Sequence, residues 1–270
     1  PAIFIKSKST LNQNYDSITF KNILKSLHTI FVINFGQAFK IKAFRKLCVA
    51  TFLIFNAFNT VAAFTYFIVV FFLFNGVTGP DGAWWWSTLF GSVGALVTTF
   101  LVIPVVTILS NKVGKKKAFI ISQSISIIGY IMLWFLFIPG KPYMFLFALP
   151  FFSFGIGGLF TLMMSMTADV IDLDELNTGK RREGVFGAIY WWMVKFGFGI
   201  AGGLSGVILS IIGWESGGAT QSAEALFGLR LFFSGLPILG TLGAIYVMRD
   251  YEITEEKAKE ISAELAARKA

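Results

Sequence analysis

The chain has 270 residues, a formal net charge of +8, and a composition that is 55% hydrophobic but only 14% charged. Soluble domains are nearer ~25% charged, and the mean hydropathy of +0.70 also argues against an ordinary soluble fold. With 31 phenylalanines against 7 prolines, neither a disordered chain nor a collagen-like fibre fits.

The basic residues sit between apolar runs and not along one face, so they read as topology determinants, with no nucleic acid among the expected partners. The single cysteine, Cys48, excludes an intrachain disulfide or a multi-cysteine metal site. The single histidine, His28, lies in a polar, basic stretch without companions. No phosphate-cradling glycine loop, His-Glu-x-x-His or nucleophile–base–acid set occurs, so the chain is not expected to be an enzyme or to hold a resident cofactor.

In chain order, the sequence opens Pro-Ala-Ile, with no initiator methionine and no cleavable signal pattern. The expectation is that an amino-terminal part of a longer protein is missing. Residues 1–46 form a flanking segment. Within it, residues 19–35 place Ile23, Leu24, Leu27, Ile30 and Phe31 at helical spacing beside Lys21 and Lys25, as in an amphipathic helix on a membrane surface.

A helix needs about 20 apolar residues to cross a bilayer core of about 30 Å. Residues 47–248 offer six such runs, at 47–74, 85–109, 118–138, 143–166, 185–212 and 226–248. Ten-residue alternating strands are absent, so the fold class is an all-α membrane bundle. Trp84, Trp85 and Trp86 open the second run as interfacial belt residues. Residues 249–270 follow as a surface helix, with a cap at Thr254, Glu255 and Glu256 in its first turn, and a thin stripe of Ile261 and Leu265.

The connectors set the orientation. Lys40, Lys42, Arg45 and Lys46 precede the first run, Lys112, Lys115, Lys116 and Lys117 follow the second, and Lys180, Arg181 and Arg182 follow the fourth. The alternate connectors hold Lys141 as their one cation, with Asp81, Glu215 and Glu224. The positive-inside rule then puts both chain ends in the cytoplasm of a bacterial-type inner membrane.

Lys195 lies about eleven residues, roughly 16 Å, into the fifth run, which is close to the midplane and too deep for easy snorkelling. Intramembrane charges are rare and mark substrate or ion pathways. Trp191 and Trp192 precede Lys195 by four and three residues, so at least one shares its face. An indole can cover the apolar face of a sugar ring while its N–H bonds a hydroxyl. Asn56 and Asn59, three apart in the first run beside Thr60, are packing or pocket amides.

At the inner end of the fourth run, Asp169 and Asp172 share a helix face ahead of Asp174, Glu175, Arg181 and Arg182. Asp169, Asp172, Arg181 and Arg182 are candidates for a cytoplasmic gate that pairs in one state and separates in another. Gly155, Gly158, Gly199, Gly203 and Gly206 are read as close-contact positions between helices.

The stretch ADVIDLDELNTGKRREG from Ala168, followed by VFGAIYWWMVKFGFGIAGG, resembles the glycoside–pentoside–hexuronide:cation symporters, the melibiose-permease group of the major facilitator superfamily. LSNKVGKKK at residues 109–117 is similar to the superfamily's cytoplasmic loop motif, with Asn111 where an acidic residue is usual. The resemblance implies that the six spans are the carboxyl-terminal half of a twelve-helix major facilitator fold. It also implies that Lys195 stands at the family's membrane-embedded lysine, and that Asp169, Asp172 and Arg181 match its gating charges. The family's cation carboxylates would lie in the missing amino-terminal six-helix half.

The reading is therefore a secondary active transporter, moving a sugar or glycoside with Na⁺ or H⁺ by alternating access. Its expected partners are the sugar, the coupling cation, the lipid bilayer and the missing half. The alternatives are a carrier of lipid or another amphiphile on the same fold, and a non-transporting six-span membrane protein.

Overall fold

The computed structural model describes residues 35–78, 83–218 and 220–269. Its helices Lys42–Leu73, Trp85–Val113, Lys115–Leu136, Pro142–Thr178, Glu183–Ile211 and Ala223–Arg249 are long and apolar enough to cross a membrane. They are the first to sixth spans below. No strand occurs among the described residues, as lipid demands of a chain that must satisfy its backbone internally. The amphipathic stretch at residues 19–35 lies outside the described residues except for Phe35, which opens a short helix, Phe35–Lys40.

The spans extend beyond their apolar runs, chiefly at the end that carries the basic connectors. The fourth span continues to Thr178, so Asp169, Asp172, Asp174 and Glu175 ride on a helix and not in a loop. Backbone hydrogen bonding sets a helix end, and charged side chains extend a helix once it has left the lipid. The stop is Gly179, at φ 69°, whose N–H bonds the Glu175 carbonyl. This left-handed glycine is a common helix terminator, and it shrinks the connector to residues 179–182.

The first span is the hub, packing against the sixth, fifth and fourth, while the third packs against the fourth and sixth and the second against the fourth. The apolar windows of the first and fourth spans are 56% and 61% buried, whereas those of the second and fifth are 17% and 22% buried. Two helices of the bundle are thus left largely uncovered.

The tightest crossing joins the third and fourth spans. A Cβ on Gly129 would lie 2.3 Å from the Phe152 nitrogen, and one on Gly158 would lie 2.8 Å from Ser122 Cβ. Nearby, Gln123 donates to the Gly155 carbonyl at 3.0 Å. The obstacle at Gly129 is backbone, which cannot swing aside. Gly129→Ala is expected to destabilise the bundle by ~1–3 kcal/mol, read as a lower thermal midpoint. An unchanged midpoint would show that the spans separate freely there. Gly199, Gly203 and Gly206 do not behave as expected of contact glycines, since a Cβ at any of them would meet nothing within 4 Å among the described residues.

At the basic end, the chain termini of the bundle are stapled together. Lys46 donates to the Asp250 carbonyl, Lys116 to the Tyr251 carbonyl at 3.1 Å, and Arg268 to the Leu176 carbonyl at 2.8 Å. The C-terminal helix Glu255–Lys269 starts with the Lys257 N–H bonded to Thr254 Oγ1, and it buries Ile261 and Leu265.

Glu252 bridges Lys42 at 3.0 Å and Lys46 at 3.3 Å. Burial pushes its carboxyl up, but the bonds from the two lysines outweigh burial and hold it below the ordinary value of 4.5. A carboxylate lowered in the folded state contributes stability above its unfolded pKa and loses it as pH falls through the lower folded value. The staple is therefore expected to hold unchanged from neutral pH down to about 5 and to loosen below about 4.5. Amide hydrogen exchange across residues 255–269, corrected for intrinsic rates, reads this directly. Equal protection at pH 7 and pH 4 would contradict it.

Candidate functional site

The fifth span presents two uncovered faces of different chemistry. Ala188, Trp191, Lys195, Gly199, Gly202 and Gly206 recur at three- and four-residue steps and are all exposed, so they form one stripe. Ile200, Leu204, Val207 and Ile211 recur in the same way on another face and are also exposed. The second stripe suits lipid. The first, with a lysine, an indole and a bare glycine track, suits a polar cavity or a close-approaching helix.

Lys195 lies twelve residues beyond the start of the span at Glu183, about 18 Å at 1.5 Å per residue. It has no ion pair or hydrogen bond among the described residues. Trp191 shares its stripe and is 44% exposed. Trp192 is turned away: it stacks on Phe196 at 5.1 Å and meets Phe35 edge-on at 5.9 Å. The four-residue spacing aligns Trp191 with Lys195, while the three-residue spacing puts Trp192 in an aromatic stack.

The two asparagines also divide. Asn56 reaches across to the fifth span, donating to the Gly197 carbonyl at 3.4 Å, on the side of that helix opposite Lys195. Asn59 bonds back to the Phe55 carbonyl of its own helix at 2.7 Å. The five candidate pocket residues are thus not gathered at one point. Lys195 and Trp191 stand together, Asn56 holds the seam behind them, and Trp192 and Asn59 make local contacts. Sequence spacing missed Phe198 and Phe160, exposed rings that flank Phe55 at 5.8 and 5.5 Å on the fifth and fourth spans.

The charged end of the fourth span is a cluster of pairs. Asp169 accepts from Lys115 with both oxygens at 2.7 Å, which ties the fourth span to the start of the third. Arg181 bonds Asp172 at 2.9 Å, Glu175 at 2.6 Å and Glu183 at 2.6 Å, and these bonds raise its pKa. Arg182 clamps Asp174 with two bonds of 2.5 and 2.8 Å, again raising its pKa, and it also reaches Gln37.

The Asp174 side chain is only 3% exposed and that of Arg182 17%, so this is the buried pair of the cluster. Asp174 is not among the gate candidates that the sequence offers. Its burial depends on how the helix end turns under the bundle, which spacing alone does not show. All four gate candidates have partners within the described residues.

A family model described as MFS/sugar transport protein matches residues 32–255, well over half of the chain. The chain belongs to the MFS/sugar transport protein family. Six spans, two of them uncovered, are what half of such a major facilitator fold presents.

Among family relatives, a glucuronide carrier protein homolog of Escherichia coli is 30% identical over 64% of this chain and 38% of its own length. An isoprimeverose transporter of Lactiplantibacillus pentosus is 28% identical over 55% of this chain and 31% of its own. A sodium-dependent lysophosphatidylcholine symporter of Danio rerio is 32% identical over 39% of this chain and 20% of its own. The chain spans about half the length of the curated relatives it matches, or less.

Proposed function

We propose that this chain is the carboxyl-terminal half of a secondary symporter that moves a glycoside, pentoside or hexuronide together with Na⁺ or H⁺ by alternating access. The observation that carries the reading is the Trp191–Lys195 stripe. A cation near the midplane, with no partner among the described residues, stands on a face that lipid would not tolerate. The uncovered second and fifth spans are where a second six-helix half would close the cavity.

Lys195 would donate to sugar hydroxyls or a sugar carboxylate, or hold coupling-site carboxylates of the other half in place. Trp191 would cover a sugar face. With the basic connectors facing the cytoplasm of an inner membrane, the Asp169–Lys115 and Asp174–Arg182 pairs would brace the inner mouth. Arg181, exposed and bonded to three carboxylates, would be the part of the gate free to exchange partners.

An amphiphile carrier is the second reading. It is favoured by the exposed apolar Phe160, Met164 and Phe198 and by the likeness to the lysophosphatidylcholine symporter. Uptake by the full-length protein in sealed vesicles separates the two readings. Sugar accumulation that collapses when the Na⁺ or H⁺ gradient is removed supports the first. Gradient-driven uptake of a lysophospholipid with no sugar uptake supports the second, and uptake of neither overturns both.

A further inference from the structure

Arg230 is a second intramembrane cation, lying seven residues into the sixth span, and the proposed transport cycle gives it no part. Its guanidinium sits 4.3 Å from the Phe72 ring and 4.6 Å from the Trp134 ring, between the first and third spans. One N–H donates to the Trp134 carbonyl at 2.6 Å. Trp134 lies in the last turn of the third span, where helix carbonyls run out of N–H partners. Among the described residues the other donors of the fork have no partner, and no carboxylate comes within ion-pair distance of Arg230.

Depth and surroundings narrow what could complete this site. The sixth span has 27 residues, about 40 Å of helix over a core of about 30 Å, so it overhangs each side by about 5 Å. Arg230, about 10 Å from the helix start, therefore lies about 5 Å below the hydrocarbon boundary, within snorkelling reach of the headgroups. It is in the leaflet away from the basic connectors. Its helix neighbours Phe227 and Leu231 are 58% and 50% exposed, so this side of the span is uncovered and apolar, as suits lipid.

We propose that Arg230 binds the phosphodiester of an anionic phospholipid from that leaflet. The planar fork suits two phosphate oxygens, and the contacts with the Phe72 and Trp134 rings hold the guanidinium in place. A net-negative headgroup is preferred because a zwitterionic lipid would bring its own cation to the same place. The acyl chains would lie along Phe227 and Leu231.

Native mass spectrometry of the full-length protein with added phosphatidylglycerol tests this. Arg230→Gln keeps a donor for the Trp134 carbonyl but removes the charge. It is expected to retain one phosphatidylglycerol fewer than the wild type, with at least about tenfold weaker binding, about 1.4 kcal/mol. Arg249→Gln, at the opposite end of the same helix, is expected to retain the wild-type number. Trp134→Leu keeps the guanidinium but loses one ring, and is expected to weaken retention severalfold; it decides the question should Arg230→Gln not fold. Phosphatidylcholine is expected to bind more weakly than phosphatidylglycerol, and inorganic phosphate is expected not to displace the lipid. Wild-type retention by Arg230→Gln, or by Trp134→Leu where that variant must decide, overturns the proposal. Displacement by inorganic phosphate overturns the lipid assignment.

Discussion

Lys195→Ala in the full-length protein is expected to lower gradient-driven uptake about 10–100-fold while leaving the thermal midpoint close to the wild type. A hydrogen bond to a charged group contributes about 1.5–3 kcal/mol, and each 1.4 kcal/mol is about tenfold. The expected split between function and stability comes from the structure: Lys195 has no partner among the described residues, so its removal breaks no contact seen there. Lys195→Arg keeps the charge and is expected to retain part of the uptake, since a fork replaces a point donor. Wild-type binding and uptake by Lys195→Ala would remove this residue from the mechanism. A collapse of the midpoint alongside uptake would make it a structural residue.

The second large effect is one of stability. Arg182→Ala leaves Asp174, 3% exposed at its side chain, without its two-bond partner under the bundle. Breaking a buried pair from one side costs about 3–5 kcal/mol, because the remaining charge is left uncompensated. The same change also removes the bond to Gln37 and the guanidinium 6.0 Å from the Phe186 ring. The double variant Asp174→Leu/Arg182→Met is expected to recover much of the loss, since an apolar pair needs no neutralisation.

Arg181→Ala is the control. The Arg181 side chain is itself 43% exposed, and ion pairs of exposed groups contribute about 0–1 kcal/mol. Thermal unfolding in detergent measures all three. Equal midpoints for Arg182→Ala and Arg181→Ala would show that burial does not distinguish the two arginines.

The helices themselves are legible in the sequence because lipid imposes a length and an apolarity that few other environments require. The six runs map onto the six spans, and the resemblance at residues 168–203 leads to the family. The ends are less legible. Apolarity fades where lipid stops, whereas the fourth span continues until Gly179 can turn left-handed.

Pairs are invisible wherever they join distant parts of the chain. Lys115 and Asp169 lie 54 residues apart, and no local period links them. The stripe of Lys195 can be half read from sequence: spacing places one tryptophan beside it, and packing with Phe35 decides which. Arg230 is open to the same reasoning that singles out Lys195. It escapes notice because it lies near the end of an apolar run, where a cation reads as an ordinary boundary residue.

The staple at the basic end has a consequence for how the bundle is made. A polypeptide enters the membrane from its amino-terminal side, yet Lys46 of the first span waits for the Asp250 carbonyl and for Glu252, and Lys116 waits for Tyr251. The first span also packs most extensively against the sixth, which is synthesised last. These contacts can form only after the segment just beyond the sixth span has emerged. Until then, water at the basic end takes the hydrogen bonds of these lysines.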